Sequence, residues 1–234
     1  MKHILFSLFV VAFFASCSAQ INGSLNIDAS ADVTLYAALE PRMATLIRTL
    51  SRVGGGTGAQ IIDGQAIGRS MAVAPGIKAA SFANVNSSTI EGAISLYRVD
   101  EFLALPSRAV ATRFITYEQN GEGGQITIHL DRSSGPQIIP LISRDVVDYL
   151  TALMAPVVTG ETLSRADYLN LVTMVYGKPV ADEMAAARIR ASIAFPGPIT
   201  AINGGVATDD RAEFDIPLLD LLVLEHALAY QVSW

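Results

Sequence analysis

The sequence predicts an α+β fold, a mostly antiparallel β-sheet of hairpins with packed helices and a helical insertion at about 137–189. Three observations carry that reading. Short apolar–polar runs flank turn residues at Asp28-Ala29-Ser30-Ala31, Asn86-Ser87-Ser88 and Asn120-Gly121-Glu122-Gly123-Gly124, which is hairpin patterning. After Gly135-Pro136 the apolar period changes to that of helices. From Arg190 onward the chain returns to short strands, an order that suits α+β better than alternating βαβ units.

Taken in order, residues 24–27 and 32–38 form the first predicted hairpin. Pro41 suits the first position of a helix, where its missing N–H costs nothing. Met43, Leu46, Ile47, Leu50 and Val53 share one face of that helix, and Gly54-Gly55-Gly56 stops it. Asp63 caps a weaker helix to about Ala74, ended by Pro75-Gly76. Residues 78–85 and 89–98 read as strands, 99–105 as a helical turn, and 109–118 with 125–131 as a further hairpin.

Ser143 caps a helix carrying Val146, Val147, Leu150, Leu153 and Met154 before Pro156. Ser164-Arg165-Ala166-Asp167 resembles a capping box, with Asp for the usual Glu. The helix behind it covers 168–176 and stops at Gly177; Pro179 opens another, to about Arg188. Strands at 190–195, 199–202, 212–216 and 227–234 complete the pattern.

The first residues carry a different signal. After Lys2 and His3, residues 4–14 (ILFSLFVVAFF) are apolar but for Ser7, too short to span a bilayer, which takes about 20 apolar residues. The run suits the apolar region of a secretory signal, and Ala15 and Ser16 are the small residues expected at a cleavage site. Phe14-Ala15-Ser16-Cys17 reads as a lipobox with Phe where Leu is usual, the looser pattern of spirochaete lipoproteins. Cys17 is the single cysteine of the 234 residues, so it has no disulfide partner in the chain. Acylation gives it a use, because two or more acyl chains hold a protein on a membrane. The expected organisation is a signal peptide at 1–16, a lipidated tether at 17–23, and one α+β domain at 24–234.

The formal charge is −6, and loss of Lys2 with the leader makes the remainder one unit more acidic. With no basic run, the chain is not expected to bind nucleic acid. Hydrophobic residues make up 51% and charged ones 16%, so either the core is generous or apolar surface lines a cavity.

No recognisable catalytic motif appears, no cofactor is expected, and enzymatic activity is left open. Gly68-Arg69-Ser70-Met71-Ala72 fails the nucleophile elbow at its last position. His129 in an alternating strand and His226 near the end are far apart in sequence and lack cysteine partners, which argues against zinc. Asp209, Asp210, Glu213 and Asp215 form a carboxylate cluster without EF-hand spacing, best read as a solvated turn. Gly54-Gly55-Gly56-Thr57-Gly58 follows a helix, not a strand, and lacks the Lys-Ser/Thr of a phosphate loop. The apolar helix faces at Met43, Leu46, Ile47, Leu50, Leu150, Leu153 and Met154 are most simply core, and are also the candidate pocket, since a lipid site uses the same residue types.

The order of turns has a counterpart. Asp28-Ala29-Ser30-Ala31, Leu39-Glu40-Pro41, Glu91-Gly92 and Val99-Asp100-Glu101-Phe102-Leu103 are followed by Phe195-Pro196-Gly197-Pro198-Ile199, Asn203-Gly204 and the terminal Trp234. Over most of 21–234 this resembles the domain of the mycobacterial LppM lipoprotein family. The resemblance implies a membrane-anchored domain whose fold is like those that hold hydrophobic ligands, working at a lipid-rich envelope; it implies no catalytic residues. The expectation is an envelope lipoprotein, lipid-anchored and facing the periplasm, whose domain binds or shields a lipid. A phospholipase-like hydrolase and a non-catalytic structural lipoprotein are the alternatives.

Overall fold

The computed structural model describes residues 17–50, 63–105, 114–136 and 144–234. The predicted leader at 1–16, the glycine run at 54–58 and the Ser143 cap lie outside these residues. Within them the chain is α+β, with its strands divided between two sheets.

The first sheet has seven strands in the order β3-β4-β2-β1-β7-β10-β9. Its members are β1 (Cys17–Leu25), β2 (Ala31–Leu39), β3 (Ile77–Asn86), β4 (Thr89–Leu96), β7 (Arg188–Ala194), β9 (Val206–Thr208) and β10 (Arg211–Pro217). All neighbours are antiparallel except β1 and β7, which run parallel with Ala19 beside Ile189 and Ser24 beside Ala194. The second sheet orders β5 (Ile115–Asn120), β6 (Gly123–Leu130), β11 (Leu228–Ser233) and β8 (Ala201–Asn203).

The strand β1 begins at Cys17, so residues 17–23, expected as a tether, are part of a central strand. Its alternation is weak because Gly23 occupies one inward position of the series Ala19, Ile21, Gly23 and Leu25. Pairing on both edges, with β2 and β7, satisfies its backbone where the side chains signal little.

Eight helices are described: α1 (Pro41–Leu50), α2 (Gly64–Ala72), α3 (Val99–Ala104), α4 (Arg144–Ala152), α5 (Pro156–Thr159), α6 (Arg165–Tyr176), α7 (Lys178–Ala186) and α8 (Leu218–Val223). Asp63 caps α2 by accepting from Ala66 N at 2.9 Å, as its position in the sequence suggested. Ser164 caps α6, its Oγ accepting from Asp167 N at 3.1 Å and donating to Asp167 Oδ2 at 2.7 Å. The N-terminus of α1 is capped by a distant residue: Glu183 on α7 accepts from Arg42 N at 3.1 Å and Met43 N at 2.9 Å.

The first sheet has one wet face. Gln20, Asn22, Asp32, Thr34, Glu91, Arg190, Glu213 and Asp215 alternate with inward residues and are exposed. Its other face is covered in two parts. Helices cover one part, building a core in which Met43, Ile47, Leu150, Leu153, Tyr168, Met184, Leu218 and Leu222 are at most 1% exposed. The second sheet covers the other part.

Candidate functional site: an apolar cavity between the sheets

Inward residues alternate along each strand, so every strand facing the gap between the sheets sends a row of apolar side chains into it. From the first sheet come Ile21 and Leu25 on β1, Val33 on β2, Ala191 and Ile193 on β7, and Phe214 and Ile216 on β10. From the second come Tyr117 on β5, Ile126 and Ile128 on β6, and Tyr230 and Val232 on β11. Val99, Phe102 and Leu103 of α3 complete the wall.

These residues enclose a cavity of about 360 Å³, within the range of roughly 300–1,000 Å³ common for small-molecule sites. Its origin is steric. Stacked sheets keep their backbones about 10 Å apart, and side chains from both must fill that gap. On the first sheet Gly23, Ala31 and Ala191 are too short to do so. Phe114, Leu130 and Leu221 join one end to the helical core. Leu25, Ala31, Phe195 and Val232, in a second cluster with Trp234, close the other.

The closed end is ordered by aromatic contacts. Trp234 lies 4.7 Å from Phe195 and 6.3 Å from Tyr117 between ring centroids, while Phe214 and Tyr230 meet edge to face at 5.6 Å. Gly124 makes room for the indole: a Cβ there would stand 2.5 Å from Trp234 Cζ2 and 2.6 Å from Glu118 O. The main chains of Gly124 and Trp234 exchange two hydrogen bonds of 3.0 Å, which fixes the C-terminus against β6. Trp234 Nε1 is buried and has no acceptor among the described residues.

Among the described residues no charged side chain lines the cavity. Its phenols stay protonated: burial, reinforced by the negative Asp100, pushes Tyr117 up to about 12. Tyr230 is raised as well, by burial first and then by the charge of Asp220. The wall therefore offers shape and apolar surface, with the two phenols as its polar groups.

Beside the cavity lies a polar cleft of about 510 Å³, lined by Asp28, Arg98, Asp100, Glu118 and Gln119, with Tyr117 shared by both. The Tyr117 hydroxyl donates to Gln119 Oε1. The Gln119 amide nitrogen donates to Asn26 O, Ile27 O and Gly121 O at 3.3, 3.1 and 3.0 Å, tying β5 to the β1–β2 turn.

Comparison with known proteins gives one fold-level likeness and no family. The chain aligns with the NMR structure of the folded domain of the Mycobacterium tuberculosis LppM protein, at a TM-score of 0.44 and 12% identity, over 93% of this chain and 88% of that one. No family model matches the chain, and no curated protein does. LppM is the family that the turn motifs pointed to, and so distant a likeness carries nothing about function.

The helix residues singled out from sequence occupy other places. Met43, Ile47, Leu150 and Leu153 are buried in the helical core, Leu46 packs against that core, and Met154 is half-buried after α4. None of them lines the cavity, and the side chain of Leu50 lies outside the description. Cys17 stands at the start of β1, opposite Leu39 of β2. His129 is exposed, with Nε2 3.5 Å from Asp131 Oδ2, and His226 is exposed in the turn before β11; neither lines the cavity. Asp209 and Asp210 form the β9–β10 turn, their carbonyls accepting from Ile199 N and Phe195 N at 2.8 Å. Among the described residues no group of three or more His, Cys, Asp or Glu side chains is placed to hold a metal ion.

The sequence did carry a signal for the true wall. Ile126, Ile128 and Leu130, and Ile189, Ala191 and Ile193, are period-two apolar rows. Such rows show an inward face without showing what lies opposite.

Proposed function

We propose that this chain is a membrane-anchored envelope lipoprotein whose domain holds a hydrophobic ligand with one apolar chain in the cavity between its sheets. The supporting observation is the cavity itself: about 360 Å³, walled by apolar side chains from both sheets and α3, with no charged group in the wall among the described residues. At about 30 Å³ for each water-sized group, it has room for a chain of roughly twelve methylenes. Burial of each contributes about 0.8 kcal/mol, ample for micromolar binding after the cost of ordering the chain.

The test uses the chain from Cys17 onward. An uncharged apolar probe, N-phenyl-1-naphthylamine, is expected to brighten on binding with one-site saturation and to be displaced by dodecanol. Native mass spectrometry is expected to find lipid carried through purification. A chain that neither carried lipid nor took up the probe would sink the reading.

The anchor is proposed from Phe14-Ala15-Ser16-Cys17 and the periplasm-facing envelope location from the leader before it. Because β1 starts at Cys17, acyl chains there would leave the sheet directly and hold the domain close to the bilayer. Metabolic labelling with a palmitate analogue is expected to mark the full chain and to be lost in Cys17→Ser. Label persisting in that variant would refute the assignment.

A further inference from the structure

The gap between the sheets is closed differently on each side. One end is stopped by the buried Phe114, Leu130 and Leu221, and the other by Leu25 and Phe195 in the cluster of Trp234. One flank is closed by main chain. Between β8 and β9 the chain crosses from the second sheet to the first through Gly204 and Gly205. A Cβ at Gly204 would stand 2.6 Å from Tyr230 Cδ1, and one at Gly205 2.6 Å from Phe214 Cδ1, so the backbone rests directly on two rings of the wall. The other flank lies beside β5, the opposite edge strand of the second sheet. There α3, which follows β4 and packs against β5, bridges the gap. No residue of α3 is buried, although Val99, Phe102 and Leu103 line the cavity. This side of the wall is one short helix thick, with solvent on its outer face.

The helix is fastened unequally. At its start Val99 N donates to Ala29 O at 2.8 Å, and Arg98 Nη1 donates to Asp28 O at 3.3 Å. Arg98 also forks onto Asp100 of the first turn, with Nη2–Oδ2 at 2.6 Å and Nε–Oδ1 at 3.1 Å. Farther along, the Phe102 ring lies on Gly76. That glycine has φ +82°, and a Cβ there would stand 3.1 Å from Phe102 Cδ2, so the ring closes on bare backbone. This contact parts without breaking a hydrogen bond, whereas the fixings at Arg98 and Val99 are polar. A helix of six residues has little stability of its own. Segments with few buried groups also open at the low end of a protein's range of local free energies.

We infer that α3 is the lid of the cavity: it swings about Arg98 and Val99, lifts Phe102 from Gly76, and admits the apolar ligand through the gap beside β5. This rests on the cavity reading and adds the route by which the ligand enters and leaves. The sheets cannot part elsewhere without breaking strand ladders or unpacking buried side chains. The mouth is also apolar on its outside. Tyr97 and Ile27, 59% and 58% exposed, stand on either side of the start of α3, Tyr97 directly before it and Ile27 in the turn that accepts from Val99 N.

A Cβ at position 76 would lie 3.5 Å from Phe102 Cβ, within disulfide reach. Gly76→Cys with Phe102→Cys, in the chain from residue 17 onward carrying Cys17→Ser, therefore fastens α3 when oxidised and frees it when reduced. Stopped-flow fluorescence follows uptake and release of N-phenyl-1-naphthylamine, and circular dichroism confirms the fold in both forms. Oxidation is expected to slow uptake and release at least about tenfold each, to change the equilibrium affinity less than about twofold, and to be reversed by dithiothreitol. The strain of a side chain at position 76 and the loss of the Phe102 ring are common to both forms and cancel. Equal rates in the two forms overturn the lid while the cavity stands; a parent chain that takes up no probe overturns the cavity reading itself. Phe102→Ala gives an independent reading that needs no disulfide. It is expected to raise the association rate several-fold, whereas Leu221→Ala, at the helical end of the wall, is expected to change release alone. An association rate unmoved by Phe102→Ala also overturns the lid.

Discussion

Ala191→Phe is expected to lower affinity for an apolar chain about thirtyfold while the protein stays folded. Ala191 sits in the floor of the cavity, beside Ile21 of β1 and Phe214 of β10. A benzyl group there would take the place of about three methylenes of ligand, or roughly 2 kcal/mol at 0.8 kcal/mol each. Inserting a ring into a filled core costs about 1–3 kcal/mol, but here it enters space that no side chain occupies. The melting temperature is therefore expected to hold or rise, because cavity volume itself is destabilising. Probe titration and thermal denaturation read the two effects separately. A folded variant that bound the probe as tightly as the parent would place the site elsewhere.

Trp234→Ala is expected to cost about 3–5 kcal/mol, the range for truncating a buried aromatic side chain. Trp234 is 7% exposed, packs on Phe195 and Tyr117, and belongs to the cluster that closes one end of the cavity. Trp234→Phe separates packing from hydrogen bonding. Since Nε1 has no acceptor among the described residues, removing it sacrifices no hydrogen bond seen there and relieves a buried unsatisfied donor. Phe is therefore expected to cost much less than Ala. Urea unfolding followed by far-UV circular dichroism measures both variants, the chain's single tryptophan being lost in each. Equal costs would contradict the orphaned donor and point to an acceptor for the indole.

Much of the local structure was legible because its causes are local. Asp63 and Ser164 cap the helices they precede, Pro41 opens α1, and Gly177 separates α6 from α7. Asn86-Ser87-Ser88 lies at the β3–β4 turn. The β5–β6 loop proved tighter than its five predicted residues. Pairing runs to Asn120 and Gly123, with Gly121 at φ +64° taking the first turn position. The helix α8 was missed for a physical reason. Leu218, Leu219, Leu221, Leu222 and Val223 are all buried, and a segment enclosed on every side shows no amphipathic period. The three-residue strand β9 is too short to carry an alternation that stands out.

The candidate site was legible only in part. Composition pointed to surplus apolar surface, and the surplus is present; the residues chosen for it were on helices, whereas the cavity is walled mainly by strands. Met43 and Ile47 on α1 look no less suited to a pocket than Ile126 and Ile128 on β6. The difference lies in what stands opposite. The helical faces meet partners whose side chains reach them, leaving Met43 and Ile47 at most 1% exposed. The sheets stand at a spacing set by their backbones, so short residues such as Gly23 and Ala191 leave space between them.

The sequence by itself determined the α+β class, most element types and their caps, because hydrophobic period, turn residues and capping side chains act within a few residues. The tertiary structure alone decided that β1 is a central strand parallel to β7, that the strands form two sheets, and that Tyr117 divides an apolar cavity from an acidic cleft. Those outcomes depend on pairings between residues up to about 170 positions apart, such as Ala19 with Ile189, and no local preference encodes such a partner.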